Sequence, residues 1–410
     1  MSELNKQLLA KTDAKACEEN IILCGNVRVT LLTATMLRIE FSTDGKFTDL
    51  PSQSIWYRNF DKVDFTKTEK ADALTIKTNK AEICVNSHTG SFNYAILDGK
   101  KLTYNTSNNL KGTKRTLDGS HGPEELNEGV ISTDGVSTYD DSKTLLLNED
   151  GTLSAREKGT KDIYVFVYGK DYVNGINDFY KVTGRPPLVP RYTLGNWWSR
   201  YRAYTQKEYE DLMTEFFRRD IPLTIATVDM DWHWVDLKKQ FNKKYKSSNI
   251  LSSGWTGYSW NTELFPDYKG FLQKLHDMGL KVTLNLHPAD GVRAFEDMYE
   301  DMAVAMGINP DTAEQVKFDF TSDRFINNYF DILHKPYEED GVGFWWIDWQ
   351  QGTNSKMQGL DPLWALNHYH YLDNSVNHDL GLVLSRYCEA GSHRYPLGFS
   401  ADTYITYKTL

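Results

Sequence analysis

The sequence predicts a multidomain β then α/β chain: an N-terminal β-sandwich followed by a (β/α)8 barrel of the TIM type, incomplete in this chain. Three observations carry that prediction. Residues 21–170 alternate apolar and polar positions in short runs separated by turn signals, the period of half-buried antiparallel strands. Three prolines, Pro186, Pro187 and Pro190, then fall within five positions. From residue 194 onward, short apolar runs alternate with helical patterns, the signature of a parallel sheet with helices outside it. The implied boundaries are a sandwich over 1–183, a linker over 184–193 and a barrel over 194–410 whose last strands are missing.

In the sandwich segment, Val27, Val29 and Leu31 alternate with polar residues, as do Leu74 with Ile76 and Ile83 with Val85. Turns are marked by Asp44-Gly45, Thr89-Gly90, Asp98-Gly99 and Glu149-Asp150-Gly151, dipeptides that tolerate positive φ. Residues 105–142 are polar and rich in Gly, Asn, Ser and Thr, and read as a long loop. A short helix near 171–182 follows the strand IYVFVYG, and the prolines after it cannot continue a helix or a central strand.

The barrel segment opens with a strand at 194–199. Thr205 and Glu208 form a capping box, and Tyr209, Leu212, Met213 and Phe216 line one face of the helix it starts. A second strand covers 221–230 and a long aromatic loop 233–262. A helix at 265–279 stops at Gly279. The third strand is 280–288, the fourth lies in GFWWIDW at 343–349, the fifth is 380–387 and a short sixth lies within 395–403. Helices are expected at 322–339 and 361–378, with mixed helix and loop over 292–315. Six strand positions fall short of the eight that close a barrel. A completing C-terminal segment or a second copy of the chain, as a homo-oligomer, would have to cover the open edge.

Composition narrows the partners. The chain has 410 residues, 40% hydrophobic and 25% charged, with a net charge of −10. That charge argues against nucleic acid and anionic membranes, and no apolar run reaches bilayer length. The first residues, MSELNKQLLAKTDAK, lack the apolar stretch of a signal peptide. Cys17, Cys24, Cys84 and Cys388 show no CxxC pair or metal spacing, so reduced thiols, a cytoplasmic location and no metal are expected, with a Cys17–Cys24 disulfide as the alternative.

The chemistry concentrates at Gly343–Gly352, GFWWIDWQQG, where an apolar aromatic run ends on one carboxylate, Asp348. A carboxylate there needs a partner or a task, because burying it unpaired is costly. Asp229, Asp231 and Asp402 sit at other strand ends, and in a parallel barrel those ends share one face. Two carboxyl groups across a glycosidic bond are what glycoside hydrolysis needs, one ionised and one protonated. Nine of the eleven Trp lie between Trp197 and Trp349, and flat rings of this kind stack on sugars as readily as they fill cores. Asp231 reads as structural. His368 and His370, two apart on a helix, do not share a face and read as packing.

The ordered stretches VTGRPPLVPRYTLGNW, VDMDWHW, WWIDWQQG and LSRYCEAGSHRYPLGFSADT resemble the landmarks of glycoside hydrolase family 31, over about residues 27–410. The resemblance implies a β-sandwich followed by a (β/α)8 barrel and a retaining α-glycosidase without cofactor, acting on α-glucosides or related α-linked oligosaccharides. It makes Asp348 the nucleophile and Asp402 the acid/base. Asp229 would hold sugar hydroxyls and Arg386 would contact substrate and nucleophile. Trp232, Trp255, Trp345 and Phe399 become stacking or wall residues, and His287 reaches a sugar hydroxyl. The family has Gly before its acid/base where this chain has Ala401, which suits only a backbone without positive φ. A transglycosylase using the same residues, or a truncated relative that binds sugar without turnover, is the alternative.

Overall fold

The alternating runs of the amino-terminal half pair as antiparallel strands. The computed structural model describes residues 3–112, 114–241, 244, 253–386 and 389–410. The chain divides into two units. One comprises Ala10–Pro186, Cys388–Arg394 and Asp402–Leu410; the other comprises Met1–Leu9, Pro187–Tyr387 and Tyr395–Ala401.

The first unit contains strands β1 (Ile21–Cys24), β2 (Val27–Leu31), β3 (Met36–Phe41), β4 (Phe65–Lys70), β5 (Ala73–Thr78) and β6 (Ala81–Asn86). They are followed by β7 (Phe92–Leu97), β8 (Lys100–Leu102), β9 (Val136–Asp140), β10 (Leu146–Leu147), β11 (Leu153–Ser154) and β12 (Lys161–Val167). One sheet has the order β1-β2-β3-β12-β9, a second runs β4 to β8 in succession, and β10 pairs with β11. Val27, Val29 and Leu31 of the first sheet share one buried cluster with Leu74, Ile76, Ile83 and Val85 of the second. The period-two positions therefore turn inward. At the β7–β8 turn, Asp98 and Gly99 take φ of 51° and 74°, the left-handed pair that a tight hairpin requires. The stretch read as a loop over 105–142 in fact contains β9, which pairs with β12. Its Ser137 and Val136 are buried, and before it a turn of 3-10 helix forms at Thr106–Asn108.

The polar positions of β2 and β3 are buried as well. Arg28 pairs with Glu40 at 2.6 Å and with Asp49 at 2.8 Å. Arg38 pairs with Asp162 at 2.7 Å, and Arg156 bridges Asp162 at 2.9 Å and Asp141 at 2.6 Å. A buried charge survives only with such partners. Cys17, Cys24 and Cys84 carry free thiols, so the Cys17–Cys24 disulfide does not form; Cys388 lies outside the described residues.

In the second unit, strands β13 (Trp197–Trp198), β14 (Ile225–Val228), β15 (Lys281–Leu286), β16 (Phe344–Ile347) and β17 (Leu384–Ser385) form one sheet in sequence order. Every pairing in it is parallel. The sixth strand expected within 395–403 is reduced to one parallel bridge, Ser385 to Gly398. The Phe399 amide still donates to the Ser385 carbonyl at 3.0 Å, but Pro396 removes a donor and shortens the ladder. Thr205 caps the helix Gln206–Arg218 with the complete box: its hydroxyl takes the Glu208 amide, and Glu208 takes the Thr205 amide at 2.9 Å. The helix Tyr268–Asp277 is followed by Gly279 at φ 81°. The helix Asp323–Asn328 runs through a π turn, Tyr329–His334, into Lys335–Glu339, and Pro362–Asn377 forms the helix before β17. No helix among the described residues is long and apolar enough to cross a membrane.

Strand parity separates two faces of this sheet. Ala226, Val228, Val282, Leu284, Leu286, Trp345 and Ile347 are buried on one. On the other, Ile225, Phe344, Trp197, Leu384 and Leu382 form an apolar layer. Thr227, Asn285, Trp346 and Ser385 lie further along the strands towards their C-terminal ends. The first, second and third of these share the face of that apolar layer by parity.

Candidate active site

Following that face to the strand ends places one residue from each of four strands at the same end. Asp229 follows β14, His287 follows β15, Asp348 follows β16 and Arg386 follows β17. Each is an even number of residues from an inward position of its own strand, so all four side chains emerge on one side.

Asp348 is buried and anchored by its backbone, whose amide donates to the Leu286 carbonyl at 3.0 Å. The Arg386 Nη2 donates to its Oδ1 in a buried ion pair. His287 Nε2 stands 3.3 Å from its Oδ2, and Asn285 Nδ2 donates to the same oxygen at 3.4 Å. Gln350 Nε2 reaches Oδ1 at 3.5 Å. Burial, the strongest influence, pushes the Asp348 carboxyl up, but the His287 hydrogen bond, the Arg386 charge and Asn285 outweigh it. The group is held below the usual carboxylate range. The site thus keeps a buried carboxylate ionised, as a nucleophile requires.

Asp229 is tuned the other way. Burial, helped by the neighbouring charge of Asp348, pushes it up to about 6 against the pull of the Met230 amide, which donates to Oδ1 at 2.7 Å. Two carboxyls in one site thus carry opposite shifts, Asp348 down and Asp229 up. Asp231 is raised by burial and forms no ion pair among the described residues.

The aromatic candidates separate. Phe399 lies 5.5 Å, edge to face, from Trp346 and 5.2 Å from the Arg386 guanidinium. Trp255 is 46% exposed and stands edge-on to His287, ring centres 5.0 Å apart. Both can form walls. Trp232 and Trp345 cannot, which corrects their assignment as stacking residues. Trp232 is 0% exposed, wedged against Trp260, and its indole N–H donates to the Asn285 carbonyl at 2.7 Å. Trp345 is 3% exposed, packs on His334 at 4.5 Å, and donates to Glu338 at 2.8 Å. Being odd-numbered from Asp348, it points to the opposite face; Trp346 is the indole on the active face. His368 and His370 are buried against Tyr395 and Tyr329 hydroxyls at 2.8 and 3.0 Å.

Asp402 falls in the other unit, where its side chain is exposed and its carbonyl accepts from the Gly119 amide at 2.8 Å. Ala401 before it has φ 73°. The backbone here therefore takes the left-handed conformation that the substitution of Ala for Gly was expected to avoid, and a methyl group sits where glycine is favoured. Asn285, Trp346 and Gln350 were not singled out from the sequence. The first two share parity with His287 and Asp348, which is the signal that finds them.

Residues 186–410 match the family model described as the glycosyl hydrolases family 31 TIM-barrel domain. The chain is similar to an alpha-xylosidase of Saccharolobus solfataricus, 24% identical over 307 residues, covering 68% of this chain and 39% of that protein. It is also similar to an alpha-xylosidase of Emericella nidulans, 23% identical over 271 residues, covering 60% of this chain and 32% of that protein. The chain thus spans less than half the length of these relatives. Among solved structures, a family 31 alpha-xylosidase from a soil metagenome, complexed with xylose, superposes with a TM-score of 0.63 at 14% identity, covering 98% of this chain and 68% of that one. A Flavobacterium johnsoniae family 31 dextranase complexed with glucose gives 0.62 at 17%, covering 94% and 54%. These structural likenesses concern the fold, whereas the family match runs over more than half of the chain and contains Asp229, His287, Asp348 and Arg386. The chain belongs to glycosyl hydrolase family 31.

Proposed function

We propose that this chain carries the site of a retaining α-glycosidase acting on α-glucosides, α-xylosides or related α-linked oligosaccharides. The observation that carries the reading is Asp348: a buried carboxylate kept ionised by Arg386 and His287 at the C-terminal end of a parallel strand. Such a group is costly to build and useless to the fold unless its charge is used. The names of the relatives, three alpha-xylosidases and a dextranase, favour α-linked sugars. In this reading the first unit is a β-sandwich and the parallel sheet belongs to a (β/α)8 barrel.

The proposed chemistry is double displacement. An Asp348 oxygen attacks the anomeric carbon while the Asp402 carboxyl gives its proton to the departing glycosidic oxygen. A covalent glycosyl ester forms on Asp348. The Asp402 carboxylate then takes a proton from water, which attacks the same carbon and frees both sugar and Asp348. Arg386 keeps Asp348 charged between turnovers, and Asp229 and His287 hydrogen-bond sugar hydroxyls. Asp402 enters on its motif, SADT, at the position that the family resemblance gives to the acid/base.

A screen of 4-nitrophenyl α-glucoside, α-xyloside, α-galactoside and α-N-acetylgalactosaminide tests the activity and chooses the sugar. Asp348→Ala should abolish release of nitrophenol, and azide should restore it with formation of a β-glycosyl azide. Turnover in Asp348→Ala without azide, at the unsubstituted rate, would refute the assignment.

A further inference from the structure

The loop that presents Trp255 is fastened by the segment that follows His287. Arg293, buried to 1% exposure, donates from Nη1 to the Ser253 carbonyl and from Nη2 to the Thr256 carbonyl, both at 2.6 Å. These two bonds bracket Trp255. Three residues further on, the buried Glu296 Oε2 accepts from the Tyr258 amide at 3.0 Å and from the Ser259 hydroxyl at 2.7 Å. Ser259 Oγ in turn accepts from the Asp297 amide at 2.7 Å, and Thr256 Oγ1 accepts from the Asp290 amide at 3.0 Å. The Tyr258 carbonyl takes the Tyr337 hydroxyl at 2.6 Å. Gly257 closes the arrangement: a Cβ there would lie 2.2 Å from His233 Nδ1, so the loop passes against that ring with no side chain between them.

These bonds fix a loop whose Thr256, Tyr258, Ser259 and Trp260 are buried while Trp255 is 46% exposed, and they use the buried side chains of Arg293 and Glu296. Their effect is local. The segment that holds the loop is continuous with His287, whose ring touches both the nucleophile and Trp255. Trp255 is the indole left exposed, and it stands edge-on to His287.

We propose that Arg293 and Glu296 are positioning residues that hold Trp255 as a stacking wall for a sugar ring of the substrate beside His287, and so set substrate affinity without touching the reacting atoms. The inference rests on the glycosidase reading above. Glu296 Oε1 is buried with no hydrogen-bond partner among the described residues. Burial pushes the Glu296 carboxyl up to about 7 against the Ser259 and Tyr258 hydrogen bonds. A Gln, isosteric with the protonated acid, therefore keeps the acceptor that the loop uses.

The test is a double-mutant cycle on the full chain, read with the best nitrophenyl α-glycoside. Trp255→Ala should raise KM about tenfold while kcat changes less than about threefold, the loss of one aromatic contact. Glu296→Ala should do the same, Glu296→Gln should restore most of the loss, and the Glu296→Ala/Trp255→Ala pair should be no worse than Trp255→Ala alone. Hydrogen exchange of the 253–262 amides should rise in Glu296→Ala and stay low in Glu296→Gln. Ser259→Ala, a milder cut in the same clasp, gives the same readouts if Glu296→Ala does not fold. Multiplicative KM effects in the pair, or unchanged exchange, overturn the proposal. If no α-glycoside is hydrolysed, the activity reading fails by itself, and the same cycle read by calorimetric binding of the free sugar, with the exchange data, still decides the clasp.

Discussion

Arg386→Met removes the guanidinium that faces Asp348 and lies over Phe399, while keeping an apolar stem of similar length to fill the space. What remains around the carboxylate is His287 at 3.3 Å, Asn285 at 3.4 Å and Gln350 at 3.5 Å. All three lie at the long edge of the hydrogen-bond range, and none replaces a full positive charge. Breaking a buried ion pair from one side costs about 3–5 kcal/mol, and the weak residual contacts place this case in the upper half of that range. The pH dependence identifies the cause. In the unsubstituted protein the Asp348 pKa is depressed, so its contribution is present above the unfolded value of roughly 3.9 and lost as pH falls through the folded value. In Arg386→Met, burial is opposed by His287 and Asn285 without the guanidinium charge, so the carboxylate is less favoured at neutral pH and protonation relieves part of that cost. The stability gap between the two proteins should therefore be widest near pH 7 and shrink towards pH 4. Urea unfolding followed by tryptophan emission suits the measurement, because ten of the eleven Trp lie beyond Pro187. A gap below about 1 kcal/mol at pH 7, or one that does not change with pH, would refute the reasoning.

Asp229→Asn should act in the opposite sense. With its pKa raised to about 6, the native carboxyl holds a proton that the unfolded chain has lost between about pH 4 and 6, so stability falls as pH rises through that window and is flat above it. The Asn variant should lack this slope and gain roughly 2–3 kcal/mol over the unsubstituted protein at pH 7 while losing turnover; an unchanged slope would show that another group titrates. Ala401→Gly relieves a left-handed alanine at φ 73°. Strain of about 1–2 kcal/mol set against the extra unfolded-state entropy of Gly leaves a gain of about 0.5–1 kcal/mol, and thermal denaturation showing a loss instead would contradict the backbone reading.

What was legible in the sequence is what a short period encodes. The inward set of the first unit, the order of the parallel strands and the position of Asp348 all follow from alternation over a few residues. At the site the same period corrects what the resemblance implied. Trp345 stands three residues from Asp348, an odd step that puts it on the opposite face, and the even step selects Trp346. Applied to LNLH, the same step pairs Asn285 with His287 and finds the second nitrogen donor to Asp348. Trp232 failed for another reason: it sits in a 3-10 turn, Met230–Trp232, where strand parity no longer applies and Trp260 closes over the ring. The buried charges of β2, β3 and β12 were not legible at all. Alternation marks Arg28, Arg38 and Glu40 as outward, and whether an outward face meets water depends on residues such as Asp49, Asp141 and Arg156 that arrive from distant segments. The clasp of Arg293 and Glu296 on the Trp255 loop belongs to this second kind. Its partners are 37 to 40 residues apart, and no local period links them. Local pattern thus reaches the residues that a strand aims, such as Asp348 and Trp346, and stops short of those that only hold a neighbouring loop in place.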